Sequence, residues 1–366
     1  MISVCVGGSA AEYNLGILPT HVLAEFRSHF NKKEFVFVVK PDANFMLSVN
    51  HNKKLYRKFI ASGGSKERAI LLRLEPDSVF PKQYKNKITK KYGLVISPGS
   101  TFDDMKLGSH LGWPYQYHLN PAKPVLSDPI LEDVIKENKR RGLFTFKDWE
   151  LRSHTMVLVA GNKVSPVSSA NYALRRRLAH QIPKALLEVY GPLWNDSLYL
   201  KLRHRVAVFV SALRQGTFPN IIEIYGNLFR SYPNSCGMVD DKHNLLKDSK
   251  FSLVIENSNS IVTEKLFDSI LNGCIPIYIG SDLDKIEFPK GTVITVEGES
   301  REITKILSSV SPDRVEQYLS NMSKFIHSKK FLEIWGAKSV YSKVAQIVHE
   351  YIEMNHYEKQ NNKANL

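Results

Sequence analysis

The stretch Phe251–Ser281, FSLVIENSNSIVTEKLFDSILNGCIPIYIGS, decides the fold. Phe251–Ile255 is a short continuous apolar run, the pattern of a strand buried on both faces. It runs out into Glu256-Asn257-Ser258, and a helix is predicted from about Thr263, a good N-cap, with Glu264 suited to the first turn. Leu266, Phe267, Ile270 and Leu271 give that helix a buried face, and Gly273 terminates it. Ile275–Ile279 follows as a second apolar strand, so the whole stretch reads as a βαβ unit of a parallel sheet. Lys265 is the anomaly in it. A cation in the first turn opposes the helix macrodipole, by about 0.3–1 kcal/mol. The conflict disappears if an anion docks at the helix N-terminus, where free N–H groups and Lys265 would both face it; a solvated surface lysine is the other reading.

The same grammar extends in both directions. In the first half, Ile2–Val6, Glu34–Val39, Ala69–Leu74 and Gly93–Ser97 read as strands, with helical patterns such as Thr20–Phe30 between them. Between His110 and about Arg152 the pattern weakens into turn signals at Trp113-Pro114-Tyr115 and Asn120-Pro121. The domain boundary is therefore expected near 150. A second α/β pattern follows: Thr155–Ala160 as a strand, Ala170–His180 as a helix ended by Pro183, and Leu187–Tyr190 as a strand. Residues 194–235 look mostly helical, an insertion expected over the ligand cleft. From Arg314 to Tyr357 the chain is helical, with Val340, Val344, Ile347, Val348 and Tyr351 at helix spacing. The expected organisation is an N-terminal α/β domain over 1–150, a second α/β domain over 151–310 and a helical tail over 311–366. Ligands belong at the carboxyl ends of strands facing the cleft between two such domains.

Composition narrows the partners. The 366 residues carry 50 basic and 36 acidic side chains, a net +14, and 43% hydrophobic residues, enough for packed cores. Cys5, Cys236 and Cys274 make neither a CxxC pair nor a disulfide framework, which suits a reducing compartment. No apolar run reaches the roughly 18 residues of a bilayer span, and the first residues lack a secretory signal pattern. A cytoplasmic protein is expected, with peripheral contact at the inner face of an anionic membrane as a further option. The positive charge calls for an anionic partner: nucleic acid, lipid headgroups or a phosphate-bearing small molecule.

Glu-Asn-Ser, a short spacer, Thr-Glu-Lys-Leu-Phe and then Gly-Cys-Ile-Pro-Ile-Tyr-Ile-Gly resembles the donor-binding motif of family 10 glycosyltransferases, the α-1,3/1,4-fucosyltransferases. Gly237 to Lys242 and Leu246 to Phe251 look like the approach to that motif. Upstream, Ala160-Gly161-Asn162-Lys163, Tyr172-Ala173-Leu174-Arg175-Arg176 and Glu188-Val189-Tyr190-Gly191 with Trp194 are similar to bacterial members of the group. The resemblance covers about residues 150–295 and is thin before them, where Leu74-Glu75-Pro76 with Pro81 and Tyr84 is the main match. The 194–235 insertion is longer than the family pattern.

This resemblance implies a GT-B architecture of two Rossmann-like domains, with donor nucleotide-sugar on the second and acceptor on the first. It implies an inverting transfer of fucose from GDP-fucose to a hydroxyl of an oligosaccharide or lipid-linked glycan such as an O-antigen; another donor, a UDP-hexose or UDP-galactofuranose, is the alternative. Lys265 corresponds to the donor-phosphate lysine, and Glu264 would lie near the sugar ring. Glu256 and Asn257 would meet nucleoside or ring hydroxyls, with Ser258, Thr263 and Tyr278 in the same donor site. The phosphate arginine falls among Arg175, Arg176 and Arg177, with Arg175 and Arg176 favoured by the shared Leu-Arg-Arg. Glu75, leaving a strand ahead of Pro76, is the expected general base, with Asp77 behind it. Fixed cations can stabilise the departing diphosphate where charge develops, so no metal or other cofactor is expected.

Other motifs compete. Asp282-Leu283-Asp284 after a strand is the context of an Asp-x-Asp metal site that could hold Mg²⁺ or Mn²⁺ against a diphosphate. Basic runs at Lys53-Lys54, Lys85–Lys91, Lys139-Arg140-Arg141, Arg175–Arg177 and Lys329-Lys330 are scattered, without zinc-finger spacing or an RRM-type aromatic motif, so no nucleic-acid partner is expected. Phe325, Phe331 and Trp335 of the tail are a candidate membrane-facing surface, though a tail helix packed on the domains is the favoured reading. His110, His118, His154, His180, His204 and His243 lack ligand spacing, and no Gly-x-Ser-x-Gly elbow or P-loop is present.

Overall fold

The computed structural model describes residues 2–8, 35–38, 42–98, 111–115, 131–216, 218, 220–286 and 288–364. The expected helix Thr20–Phe30, the Asn120-Pro121 turn, His110 and His118 lie outside the described residues. The chain divides into two compact units, Met1–Pro114 with Glu333–Leu366, and Tyr115–Leu332. Each is α/β with a wholly parallel sheet.

The first unit contains β1 (Ile2–Gly8), β2 (Phe35–Val38), β3 (Phe45–Val49), β4 (Ala69–Leu72) and β5 (Leu94–Ile96) in the order β2-β1-β3-β4-β5. The sequence reading does not single out β3, FMLSV, yet it sits at the centre and is buried along its whole length. Its side chains alternate between two cores. Phe45, Leu47 and Val49 join Val340, Val344, Ile347 and Val348 of the C-terminal helix Ala337–Ala364, while Met46 joins Phe59, Leu71 and Ile88 on the other face. Phe59 belongs to α1 (Lys53–Ala61) and Ile88 to α2 (Asn86–Thr89). Asn52 caps α1 through its Oδ1 and donates from Nδ2 to Gly8 O at 2.6 Å, tying the end of β1 to the helix start.

This packing moves both expected domain limits. The apolar stripe of the C-terminal helix covers the first sheet, so the end of the expected tail belongs to the first unit. Residues 131–150 instead serve the second unit: in α3 (Leu131–Arg140) Asn138 Nδ2 donates to Leu271 O at 2.8 Å, and in α4 (Phe146–Glu150) Trp149 Nε1 donates to Lys250 O at 2.9 Å. The aromatic residues of the tail follow the favoured, packed reading and do not form a membrane surface. Phe325, Phe331 and Trp335 are buried, and the Phe331 ring meets Phe325 edge-on at 5.1 Å and Phe267 at a tilt at 5.8 Å.

The second unit holds β6 (His154–Val159), β7 (Glu188–Tyr190), β8 (Ser235–Gly237), β9 (Ser249–Ile255), β10 (Ile275–Ile279) and β11 (Ile294–Thr295), ordered β11-β10-β9-β6-β7-β8. Chain order runs outward from β6 to β8, then restarts at β9 and runs the other way. The β6/β9 junction is thus a topological switch point, where crossovers diverge to opposite faces and leave a crevice at the carboxyl ends. Helix α5 (Tyr172–Gln181) follows β6. The insertion folds as α6 (Leu198–Arg214) and α7 (Ile221–Tyr225), joined by a hydrogen bond from buried Arg205 to Ile224 O. Helix α8 (Lys242–Lys247) precedes β9, and α9 (Glu264–Leu271) links β9 to β10, with Leu266, Phe267, Ile270 and Leu271 fully buried. Gly273, at φ +66°, ends α9 where a Cβ would strike Leu143 O at 2.3 Å. Among the described residues, no helix is long and apolar enough to cross a membrane.

At the carboxyl ends of β3 and β4, Asn50 takes a left-handed backbone at φ 54°. Its Oδ1 accepts from Leu74 N at 2.9 Å and Glu75 N at 3.1 Å. His51 beside it donates its N–H to Gln83 Oε1 at 3.2 Å and sets Nδ1 2.8 Å from Tyr92 Oη. Burial, with Lys82, Lys91 and Lys53 nearby, pushes the His51 imidazole down to about 4. The neutral ring is the folded form, so its contribution is complete above pH 6.5 and is lost as pH falls towards 4. Wild-type stability in urea is expected to drop by about 3 kcal/mol more than that of His51→Gln across that window; equal pH slopes would contradict this burial.

Candidate functional site

The crevice at the switch point is built by strand ends and the start of α9. Glu256 directly follows β9 and is fully buried. Both its oxygens are engaged by the helix start: Thr263 N–H donates to Oε1 at 2.8 Å and Thr263 Oγ1 donates to Oε2 at 2.6 Å. Thr263 is the N-cap by position, yet its side chain makes no cap hydrogen bond and its hydroxyl is instead turned to Glu256. The same Oγ1 accepts from Lys265 Nζ at 2.9 Å.

Lys265 Nζ lies 3.2 Å from Glu264 Oε1 and 3.6 Å from Glu256 Oε2, with its side chain 20% exposed. These two carboxylates offset the cost of a cation in the first turn, so the macrodipole conflict read from the sequence has an answer inside the protein. Burial lowers the Lys265 ammonium, and Glu264 and Glu256 more than reverse it, leaving it raised. Burial pushes the Glu256 carboxyl up against the pull of Lys265 and Thr263. Partial burial also favours the neutral form of Glu264, but Lys265 and Lys242 together hold it down to about 2.

A cavity of about 120 Å³ opens beside this group, lined by Leu158 and Ala160 of the β6 end, Val254 of β9, and Lys242, Glu264 and Lys265. That space suits a phosphate-sized group. Asp268, one turn on from Glu264, forms its inner wall. Its carboxylate pairs with Lys242 Nζ and accepts from Tyr115 Oη at 2.9 Å. Behind it, buried His243 Nδ1 meets Asn272 Nδ2 at 2.8 Å. Sequence reasoning missed Asp268, Tyr115 and Asn272. The signal for Asp268 was present, since it follows Glu264 by four residues and so falls on the same side of the helix as that motif acid.

The arginine run divides. Arg175, in the first turn of α5, donates from Nη2 to Ile255 O at 2.8 Å and Asn257 Oδ1 at 3.2 Å, and lies over the Tyr172 ring at 5.0 Å. Its buried Nε has no hydrogen-bond partner among the described residues. Arg176 turns instead into the insertion, where it donates to Lys163 O at 2.8 Å and pairs with Glu223 of α7. Arg177 reaches Gly298 O at 3.1 Å and Glu299 at 3.4 Å. Ser258 Oγ meets Ser260 Oγ at 2.7 Å, and Ser258 bridges Ala170. Tyr278 Oη accepts from Ser281 N at 3.1 Å. A Cβ at Gly280 would lie 2.4 Å from that hydroxyl and 2.7 Å from Glu256 Cγ, so Tyr278 and Glu256 close on one another across this glycine.

The structure therefore gathers Arg175, Glu256, Asn257, Thr263, Glu264, Lys265 and Tyr278 at one end of the second sheet and directs Arg176 elsewhere. Glu75 belongs to the first unit, half-buried three residues past β4. Gln83 Nε2 and Tyr84 Oη donate to its carbonyl at 2.8 and 3.0 Å. Asp282 accepts from Asp284 N at 3.2 Å and pairs with exposed Lys285 at 3.5 Å. Among the described residues, no group of three or more His, Cys, Asp or Glu is arranged to hold a metal ion.

No protein-family model and no curated protein matches the chain. Solved structures similar to it include HepE of Anabaena in complex with UDP, at 11% identity and a TM-score of 0.49, over 96% of this chain and 100% of that one. An α1,3-fucosyltransferase with GDP is similar at 13% identity and a TM-score of 0.45, over 96% and 89%. A glycosyltransferase from Rickettsia africae is similar at 13% and 0.38, over 84% and 70%.

The Glu256 contacts predict a structural phenotype separable from any ligand. Glu256→Gln places an amide NH₂ where Thr263 or Lys265 needs an acceptor, and should destabilise the fold by about 2–4 kcal/mol in urea unfolding. An unchanged unfolding midpoint would show that this carboxylate does not clamp the helix.

Proposed function

We propose that the chain is a glycosyltransferase that moves a sugar from a nucleotide-sugar donor to a hydroxyl of a glycan acceptor. One observation carries the reading. The motif that resembles the donor site of family 10 glycosyltransferases folds as a strand–loop–helix at a Rossmann switch point, and Arg175 from a separate helix reaches the same loop. Two Rossmann-type units in one chain are also what a GT-B enzyme is composed of. Fucose from GDP-fucose is the proposed donor pairing, and the acceptor is a surface glycan, free or lipid-linked.

The chemistry follows from the charges. In the inverting step the acceptor oxygen forms a bond to the anomeric carbon while the bond from that carbon to the diphosphate oxygen breaks. The acceptor proton passes to a carboxylate, assigned to Glu75. The leaving diphosphate gains negative charge, which Lys265, Arg175 and the α9 N-terminus stabilise where it develops. Lys265 now held by Glu264 exchanges that partner for phosphate, which frees the Glu264 carboxylate for the sugar ring. Asn257, Ser258 and Tyr278 complete the nucleoside and sugar contacts. No metal is assigned a role, and activity is expected to persist in excess EDTA.

A thermal-shift screen of GDP-, UDP- and CMP-sugars is expected to raise the melting temperature with GDP-fucose; at one hundred times Kd the stabilisation is about 2.7 kcal/mol. Preference for a UDP-sugar would replace the fucosyl assignment, and no shift with any donor would remove the enzyme reading. Lys265→Ala should weaken donor diphosphate binding about tenfold or more, roughly 1.4 kcal/mol. Glu75→Gln should lower kcat by about 10²–10⁴-fold while leaving donor affinity intact; a normal rate would move the base elsewhere.

A further inference from the structure

Of the sixteen exposed large apolar side chains among the described residues, eleven lie between Leu198 and Phe229, in the insertion of the second unit. They are not scattered there. On α6, Tyr199, Leu202, Val206, Val210 and Leu213 recur at steps of three, four, four and three, so they form one stripe along a helix of 17 residues, about 25 Å long. All five are exposed. A different face is the one that packs, through buried Arg205 and Ala212. Beyond the helix, Phe218 is 95% exposed and Ile222 81%. A stripe of this size on the outside of a folded unit marks a contact surface.

The charge beside the stripe selects the partner. Arg203 and Arg214 are exposed and fall next to it on the helix wheel, and the sequence from Ser197 to Ile222 contains no acidic residue. A second copy of this chain would bring the same arginines towards one another. A nucleic acid would leave the apolar row uncovered. An interface that accepts apolar side chains and anionic groups in the same plane is a bilayer with anionic headgroups. We infer that α6 and the following loop lie on such a membrane, with the apolar stripe at the level of the acyl boundary and Arg203 and Arg214 on lipid phosphates. This goes beyond the donor site and does not depend on which sugar is transferred.

Sedimentation of the full chain with vesicles tests it. Binding is expected to vesicles containing phosphatidylglycerol, to weaken as salt is raised, and to be at least about tenfold weaker to vesicles of phosphatidylcholine alone. Leu202→Gln/Val206→Gln/Leu213→Gln should lose most binding at unchanged melting temperature, since these side chains are exposed, and Arg203→Glu/Arg214→Glu should lose the preference for anionic lipid. The inference is overturned if the wild type does not sediment with phosphatidylglycerol vesicles, or if the stripe variant binds as the wild type does. It is equally overturned if the stripe variant turns a dimer into a monomer by light scattering with vesicle binding retained.

Discussion

A single buried carboxylate governs the geometry of the second unit's carboxyl edge. A charge taken out of water is tolerated only with close partners, and Glu256 obtains them from residues seven and nine positions ahead of it in the chain. That requirement pulls the end of β9 and the start of α9 together. It diverts the Thr263 hydroxyl from capping the helix, and it holds the Lys265 ammonium over the helix N-terminus. It also forbids a side chain at Gly280, where Tyr278 and Glu256 already meet. Three segments of chain are thus locked by the needs of one anion.

The second polar group, Asp268 with Lys242 and Tyr115, sits behind the first and repeats the arrangement of a paired carboxylate lining the cavity wall. Counting Lys242, Lys265 and Arg175 against Glu256, Glu264 and Asp268, the site's formal charges cancel. It is therefore not an open well of positive potential. An incoming anion competes with a resident carboxylate, and Glu264 is the one in a position to yield, since Glu256 and Asp268 are buried and multiply bonded while Glu264 is 39% exposed.

How far the sequence was readable depends on how local the cause was. The βαβ unit around Lys265, its buried face and its Gly273 terminus were legible because strand runs, helix spacing and glycine are local signals. The C-terminal stripe of Val340, Val344, Ile347 and Val348 showed a helix, but not that it covers the first sheet, because nothing local names a partner some 290 residues away. Strand β3 went unseen: five residues containing a serine make a weak run, and its centrality comes from β1 and β4 pairing on either side. Among the site residues, Glu256 was legible as important through the motif, but its role as a clamp on Thr263 depends on a turn whose closure no spacing rule gives.

The arginines show the same limit from another side. Consecutive helical residues point about 100° apart, so Arg175, Arg176 and Arg177 cannot serve one site, and each finds a different environment. Three of the chain's buried guanidiniums do the same kind of work as Arg175: Arg152 donates to the carbonyls of Ser249, Gly273 and Leu143, Arg176 to that of Lys163, and Arg205 to that of Ile224. A guanidinium offers five donors in a fixed plane, and carbonyls at strand ends and loops inside a protein must find donors somewhere. Arg152, Arg176 and Arg205 are thus interior braces, and their share of the net +14 is unavailable to any partner. The formal charge of the chain overstates its attraction for anions, and what attraction remains rests with the few cations a ligand can still meet, at the crevice of the second unit and on the rim of α6.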